Sequence, residues 1–176
     1  MTLPSYVTLS RIILIIPILY FTSSSEEYLA LILFIIAGLT DYLDGFIARK
    51  TKTETSLGAF LDLLADKLLV CLVLVWCAFL YHSTVIIIPA LIIISRELII
   101  SSMRQFLVEK TGKNPVKVTY IAKSKTTIQI IAISFLILSP EMGIFFNQIT
   151  FFLIWTAAFV SLYTLYNYLR RYKNYF

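Results

Sequence analysis

The sequence predicts an all-α, polytopic membrane protein with six transmembrane helices and both termini in the cytoplasm. Three observations predict it: a composition too apolar for a water-facing surface, six apolar runs of near-spanning length, and basic residues confined to alternate breaks between those runs. Of 176 residues, 59% are apolar and 14% are charged, which is more greasy surface than one core of this size hides. A spanning helix takes about 20 residues, so the chain has room for roughly six or seven spans. No length remains for a separate water-soluble domain, and a single membrane domain over 1–176 is expected.

The first run, 6–21, begins without a basic n-region, and no small-residue cleavage site follows it, so it is expected to stay as a membrane helix. Runs two and three, 28–48 and 57–80, flank a short polar break and carry Asp41, Asp44, Asp62 and Asp66. Cys71 and Cys77 lie inside the third run and read as packing residues rather than a disulfide or a zinc site. Runs four to six cover 85–106, 120–138 and 145–169. The breaks, 22–27, 49–56, 81–84, 107–119 and 139–143, are polar or turn-prone.

Arg49, Lys50 and Lys52 fall in the second break, Lys110, Lys113 and Lys117 in the fourth, and Arg170, Arg171 and Lys173 at the C-terminal end. The first, third and fifth breaks have no Lys or Arg. The positive-inside rule then puts both termini and the even-numbered breaks in the cytoplasm. The net charge of +5 lies against an anionic lipid leaflet, and nucleic-acid binding is not needed to explain it.

Arg11, the four aspartates, Lys67, Arg96 and Glu97 lie within the runs, with Arg104, Lys123 and Lys125 nearer their ends. With this orientation each falls in a cytoplasmic half. Ionisable groups in hydrocarbon cost at least about 2.5–3.5 kcal/mol each, so a one-sided collection predicts a polar cavity open to the cytoplasm. Glu97 reads as an intramembrane partner for Arg96 or another cation. Lys67 is a candidate anion binder or a partner of Asp62 or Asp66. His82, Trp76, Tyr81, Trp155 and Tyr163 read as interfacial or packing residues.

Asp41 and Asp44 are spaced i, i+3 and Asp62 and Asp66 i, i+4, so each pair shares one helix face. The pairs are nearly symmetric about Thr53, and a hairpin of runs two and three brings them to matching depths. Four such carboxylates need cations or protons to coexist. The only histidine, His82, lies in an outer break, so the ligand set is all oxygen and favours Mg²⁺ or Mn²⁺ over zinc. Two ions roughly 3.5–4 Å apart form a common clamp for phosphoryl chemistry. Gly45, Ala48 and Gly58 fall one turn from these aspartates and either admit a phosphate closely or pack helices. A divalent-metal transporter would spread acidic residues through the full membrane depth, whereas here the outer half has none outside its breaks.

The stretch Asp41-x-x-Asp44-Gly45-x-x-Ala48-Arg49, eight residues, then Gly58-x-x-x-Asp62-x-x-x-Asp66 resembles the signature of the CDP-alcohol phosphatidyltransferase family at all eight motif positions. Further segments resemble the bacterial branch whose acceptor is sn-glycerol 3-phosphate. These are Leu3-Pro4 through Thr8-Leu9-x-Arg11, the run from Ser95 to Ser101 with Arg104, and Lys123-Ser124-Lys125-Thr126 with Gln129. Ala122 and Leu63 depart from that branch, which usually has Gly and Pro there, and neither is a ligand position.

The resemblance implies a six-helix, usually homodimeric, metal-dependent transferase of phospholipid biosynthesis in the bacterial cytoplasmic membrane, its active site facing the cytoplasm. Its substrates would be CDP-diacylglycerol and glycerol 3-phosphate, and its products phosphatidylglycerophosphate and CMP. Inositol phosphate, phosphatidylglycerol or serine are the acceptors of other branches. Carried over by position, Asp41, Asp44, Asp62 and Asp66 would hold two Mg²⁺ or Mn²⁺ ions, with Asp66 also the catalytic base. Gly45, Ala48, Arg49 and Gly58 would contact the nucleotide, although Arg49 also suits a positive-inside anchor. Arg96, Arg104, Lys123 and Lys125 are the cations available for the acceptor phosphate.

Overall fold

A computed structural model describes the backbone of residues 3–51, 56–111 and 120–172, and the side chains of 8–40, 58, 61, 63–110 and 125–172. The described residues form six α-helices and no strand: α1 (Leu3–Ser23), α2 (Glu27–Thr51), α3 (Ser56–Tyr81), α4 (Thr84–Thr111), α5 (Tyr120–Leu138) and α6 (Ile144–Tyr172). A 3₁₀ turn, Ser139–Glu141, joins the last two.

Each apolar run falls on one helix, but α2 and α4 continue past their apolar ends, through 49–51 and 107–111. Arg, Lys, Gln and Glu are good helix formers, so the backbone ladder persists after hydrophobicity stops. Gln105 Nε2 donates to Glu109 Oε1 at 3.2 Å one turn on, supporting the extension of α4.

The turn after α1 is closed by Ser25 in the left-handed region (φ 56°), with Glu26 N–H bonded to the carbonyl of Phe21 at 3.1 Å. This is the arrangement that satisfies the last carbonyls of a helix. His82 (φ 47°) provides the same reversal after α3.

Leu63–Tyr81, Thr84–Lys110 and Ile144–Tyr172 are each long and apolar enough to cross a membrane, and Thr8–Ser23 and Glu27–Thr40 are shorter apolar helices. Ile144, Phe145, Phe152 and Ile16 are 81%, 77%, 71% and 70% exposed. Such surface would associate in water, but it matches hydrocarbon. The fold is that of a membrane-embedded helical protein.

The core runs between helices on i, i+3, i+4 faces, and Leu69, Val70, Val73, Leu74 and Cys77 on α3 share one cluster with Ile133, Leu136 and Ile137 on α5 and Ile154 on α6. Ala30 and Ala37 on α2, Ala90 on α4, Ala132 on α5 and Ala157 and Ala158 on α6 are buried. Where lipid removes the hydrophobic drive, such small residues let backbones approach and pack. α1 packs along both α2 and α3, while α2 and α3 touch each other sparsely among the described residues.

Candidate active site

Three helices build one polar cavity of about 250 Å³. α3 contributes Asp66 and Lys67, α4 contributes Arg96, Glu97, Ser101 and Arg104, and α5 contributes Lys125, Thr126 and Gln129. Spacings of three and four residues put each set on one helix face. Leu63, Val70 and Ile100 supply an apolar lining. The cavity falls below the roughly 300–1,000 Å³ of drug-sized pockets, a scale suited to a small polar molecule rather than a lipid.

Among the described residues, four cations and two carboxylates line it. Arg96 and Lys125 are nearly buried, at 7% and 6% exposure. Glu97 holds them together: its Oε1 accepts from Arg96 Nη1 at 3.1 Å and also from Lys125 Nζ. Lys67 Nζ donates to the main-chain carbonyl of Glu97 at 3.3 Å and to Ser101 Oγ. Arg96 Nη2 donates to Thr164 Oγ1 on α6 at 3.0 Å, and Thr164 in turn donates to the carbonyl of Ser161 at 2.8 Å. Asp66 is half-buried and close enough to attract both Lys67 and Lys125 electrostatically.

Two donors in this assembly, Nε of Arg96 and Nε of Arg104, are buried with no hydrogen-bond partner among the described residues. A buried donor left unpaired costs about 1–3 kcal/mol. The four cations gathered at the cavity favour an anion there.

The sequence matches the CDP-alcohol phosphatidyltransferase family model over residues 1–163. The chain belongs to the CDP-alcohol phosphatidyltransferase family. It is 36% identical over 170 residues to the CDP-diacylglycerol–glycerol-3-phosphate 3-phosphatidyltransferase of Escherichia coli (strain K12), covering 95% of this chain and 92% of that protein. The proteins of the same name from Shigella sonnei (strain Ss046) and Shigella flexneri serotype 5b (strain 8401) are also 36% identical, with the same coverage.

Within this phosphatidyltransferase, three of the four expected acceptor-side cations, Arg96, Arg104 and Lys125, do converge, and they meet Asp66 in the same cavity. Asp41, Asp44, Gly45, Ala48 and Arg49 belong to the C-terminal part of α2, Gly58 and Asp62 to the first turns of α3, and Lys123 to the start of α5. The side chains of Asp41, Asp44, Gly45, Ala48, Arg49, Asp62 and Lys123 lie outside the described residues.

No group of three His, Cys, Asp or Glu side chains converges among the described residues. The donor chemistry on α3 nevertheless fits a hard divalent ion: Asp66 offers carboxylate oxygens at the cavity, while His82 lies beyond the other end of the helix.

Sequence reasoning gave Glu97 a partner but not its central position among three cations. Ser101 and Gln129 stood in family-like segments without a role, and Gln129 Nε2 in fact donates to Ser161 Oγ across to α6 at 3.3 Å. Thr164 carried no signal, because hydroxyl residues in apolar helices commonly just bond the preceding turn, as Thr22 does to Ile18.

Proposed function

We propose that this protein transfers the phosphatidyl group of CDP-diacylglycerol to sn-glycerol 3-phosphate, forming phosphatidylglycerophosphate and CMP. The observation that carries the acceptor half is the convergence of Lys67, Arg96, Arg104 and Lys125 beside the carboxylate of Asp66. A phosphate monoester carries about −1.5 to −2 charges at neutral pH, which suits a cluster of cations. Serine has no such group, and a phosphodiester carries a smaller charge. Between glycerol phosphate and inositol phosphate, the names of the relatives favour the former.

In this reading Arg96, Arg104, Lys123 and Lys125 receive the acceptor phosphate, with Lys67 and Ser101 at its edge. That anchoring directs the free hydroxyl toward Asp66, which takes its proton as the oxygen attacks the phosphorus bearing the lipid. The new P–O bond forms as the bond to CMP breaks. Gly45, Ala48 and Gly58 leave room along α2 and α3 for the nucleotide, and Arg49 pairs with its phosphates. Asp41, Asp44, Asp62 and Asp66 would hold two Mg²⁺ or Mn²⁺ ions, which when bound would neutralise the pyrophosphate and the departing charge.

The same reading takes all six helices as spans of a single domain over 1–176 in a bacterial cytoplasmic membrane. Both termini and the cavity mouth face the cytoplasm, following the basic breaks. A homodimer belongs to it through the family resemblance.

The test is CMP release by purified protein given CDP-diacylglycerol, Mg²⁺ or Mn²⁺, and each acceptor in turn. Turnover is expected with glycerol 3-phosphate and not with inositol phosphate, phosphatidylglycerol or serine. Equal turnover with inositol phosphate overturns the assignment of acceptor.

A further inference from the structure

We propose that Glu97 is the positioning residue of the acceptor site, the anion that gathers cations from three helices into one phosphate receptor. The proposal deepens the reading above and rests on it. Left to themselves, Lys67 on α3, Arg96 and Arg104 on α4 and Lys125 on α5 repel one another, and in a poorly solvated cavity that repulsion acts at close range. A receptor for a tetrahedral phosphate needs them close together before the ligand arrives.

Glu97 provides this through two different groups. Its carboxylate oxygen Oε1 bridges Arg96 and Lys125, joining α4 to α5. Its main-chain carbonyl accepts from Lys67 at 3.3 Å, joining α3 to α4. Thr164 fixes the other end of the Arg96 fork at 3.0 Å, so this guanidinium is held on two sides while its Nε stays without a protein partner.

An isolated ion pair would have one partner and lie away from other charges. Glu97 instead lines the cavity with 14% of its side chain exposed, and both cations it bridges line that cavity too.

The experiment measures KM for glycerol 3-phosphate, KM for CDP-diacylglycerol, kcat and melting in detergent for the wild type, Glu97→Gln and Glu97→Asp. Glu97→Gln keeps the shape but loses the charge, and should raise acceptor KM about tenfold or more, the scale of a lost charge-assisted hydrogen bond. KM for CDP-diacylglycerol should stay within about twofold, because the lipid substrate does not depend on this bridge. Glu97→Asp keeps the charge on a shorter arm and should give a smaller, still selective rise.

An unchanged acceptor KM in folded Glu97→Gln overturns the proposal. So does a lowered one, which would make Glu97 only a diluter of positive charge. A proportional loss in both KM values with lower melting would make the residue merely structural, and likewise overturns it. If Glu97→Gln does not fold, Glu97→Asp decides alone: a selective rise in acceptor KM supports the proposal and an unchanged KM sinks it. The reading of the acceptor fails separately, on the wild-type enzyme. Whichever acceptor the wild type uses, the Glu97 comparison is made on that acceptor's KM.

Discussion

At one end of α3, α4 and α5, four cations and two carboxylates share a cavity, while toward the other end the same helices meet through Cys77, Ile86, Leu136 and Ile137. Two polar groups at that second end make single bonds. Trp76 Nε1 donates to Ser23 Oγ at 2.9 Å, and the Tyr81 hydroxyl donates to the carbonyl of Leu136 at 3.1 Å. Each such bond satisfies one donor and ties one turn to its neighbour. In the cavity, by contrast, Lys67, Arg96, Glu97 and Lys125 form one connected network across α3, α4 and α5. A packed bundle has no need of four cations gathered in one place, whereas an anionic ligand does.

The sharpest way to break this comparison is to remove the chemistry at the cavity end and leave the bundle. Chelation of divalent cations, or Asp62→Asn, should abolish CMP release. Asp66→Asn should lower kcat by about 10²- to 10⁴-fold, the usual contribution of a positioned base. Melting in detergent should change little for Asp66→Asn, since a half-buried carboxylate at a cavity wall is replaced by its isostere. Full activity in Asp66→Asn would remove the base from the mechanism.

Next in size is Arg104→Met. Losing one charge-assisted contact to the acceptor phosphate costs about 1.5–3 kcal/mol, so acceptor KM should rise roughly ten- to hundredfold. Melting should hold steady or rise, because a buried donor without a partner has gone. A fall in melting with unchanged KM would show that Arg104 supports the bundle and not the ligand.

The opposite substitution tests the packed end. Ile154 on α6 is fully buried in the core, and Ile154→Ala should cost about 2–5 kcal/mol of stability through the cavity it leaves. At temperatures where the variant is folded, acceptor KM and kcat should match the wild type. A selective change in KM would mean that the two ends are coupled.

What was readable in the sequence follows the same division. The six helices were legible because each apolar run is long and bounded by polar or turn residues, and Arg96, Arg104 and Lys125 stood out because charges in apolar helices are expensive. Their convergence could also be argued, since one-sided charges on several helices need a common solvated space. The helix ends at 49–51 and 107–111 were not legible, because apolarity marks the membrane and not the end of the hydrogen-bond ladder. Thr164 and the bridging of Glu97 were hidden for another reason: they depend on which faces of α4, α5 and α6 turn toward each other, and no local spacing encodes that.

The smallest expected effect lies at the packed end, in the turn between α5 and α6. Glu141 is exposed there, and a hydrogen bond with Glu27, together with the negative charges of Glu27 and Glu26, raises its pKa above the ordinary 4.5. A carboxyl with a raised folded-state pKa binds its proton more tightly folded than unfolded. Its stabilising contribution is therefore present below the unfolded value and is lost as pH rises through the folded one. Glu141→Gln keeps a donor for Glu27 at every pH and should flatten that part of the melting profile. Acceptor KM should not respond, because about 20 Å of α5 separate Lys125 from Leu138 at the turn. A difference in melting between wild type and variant that stays constant from acid to neutral pH would exclude a raised pKa at Glu141, and a changed KM would break the separation of the two ends.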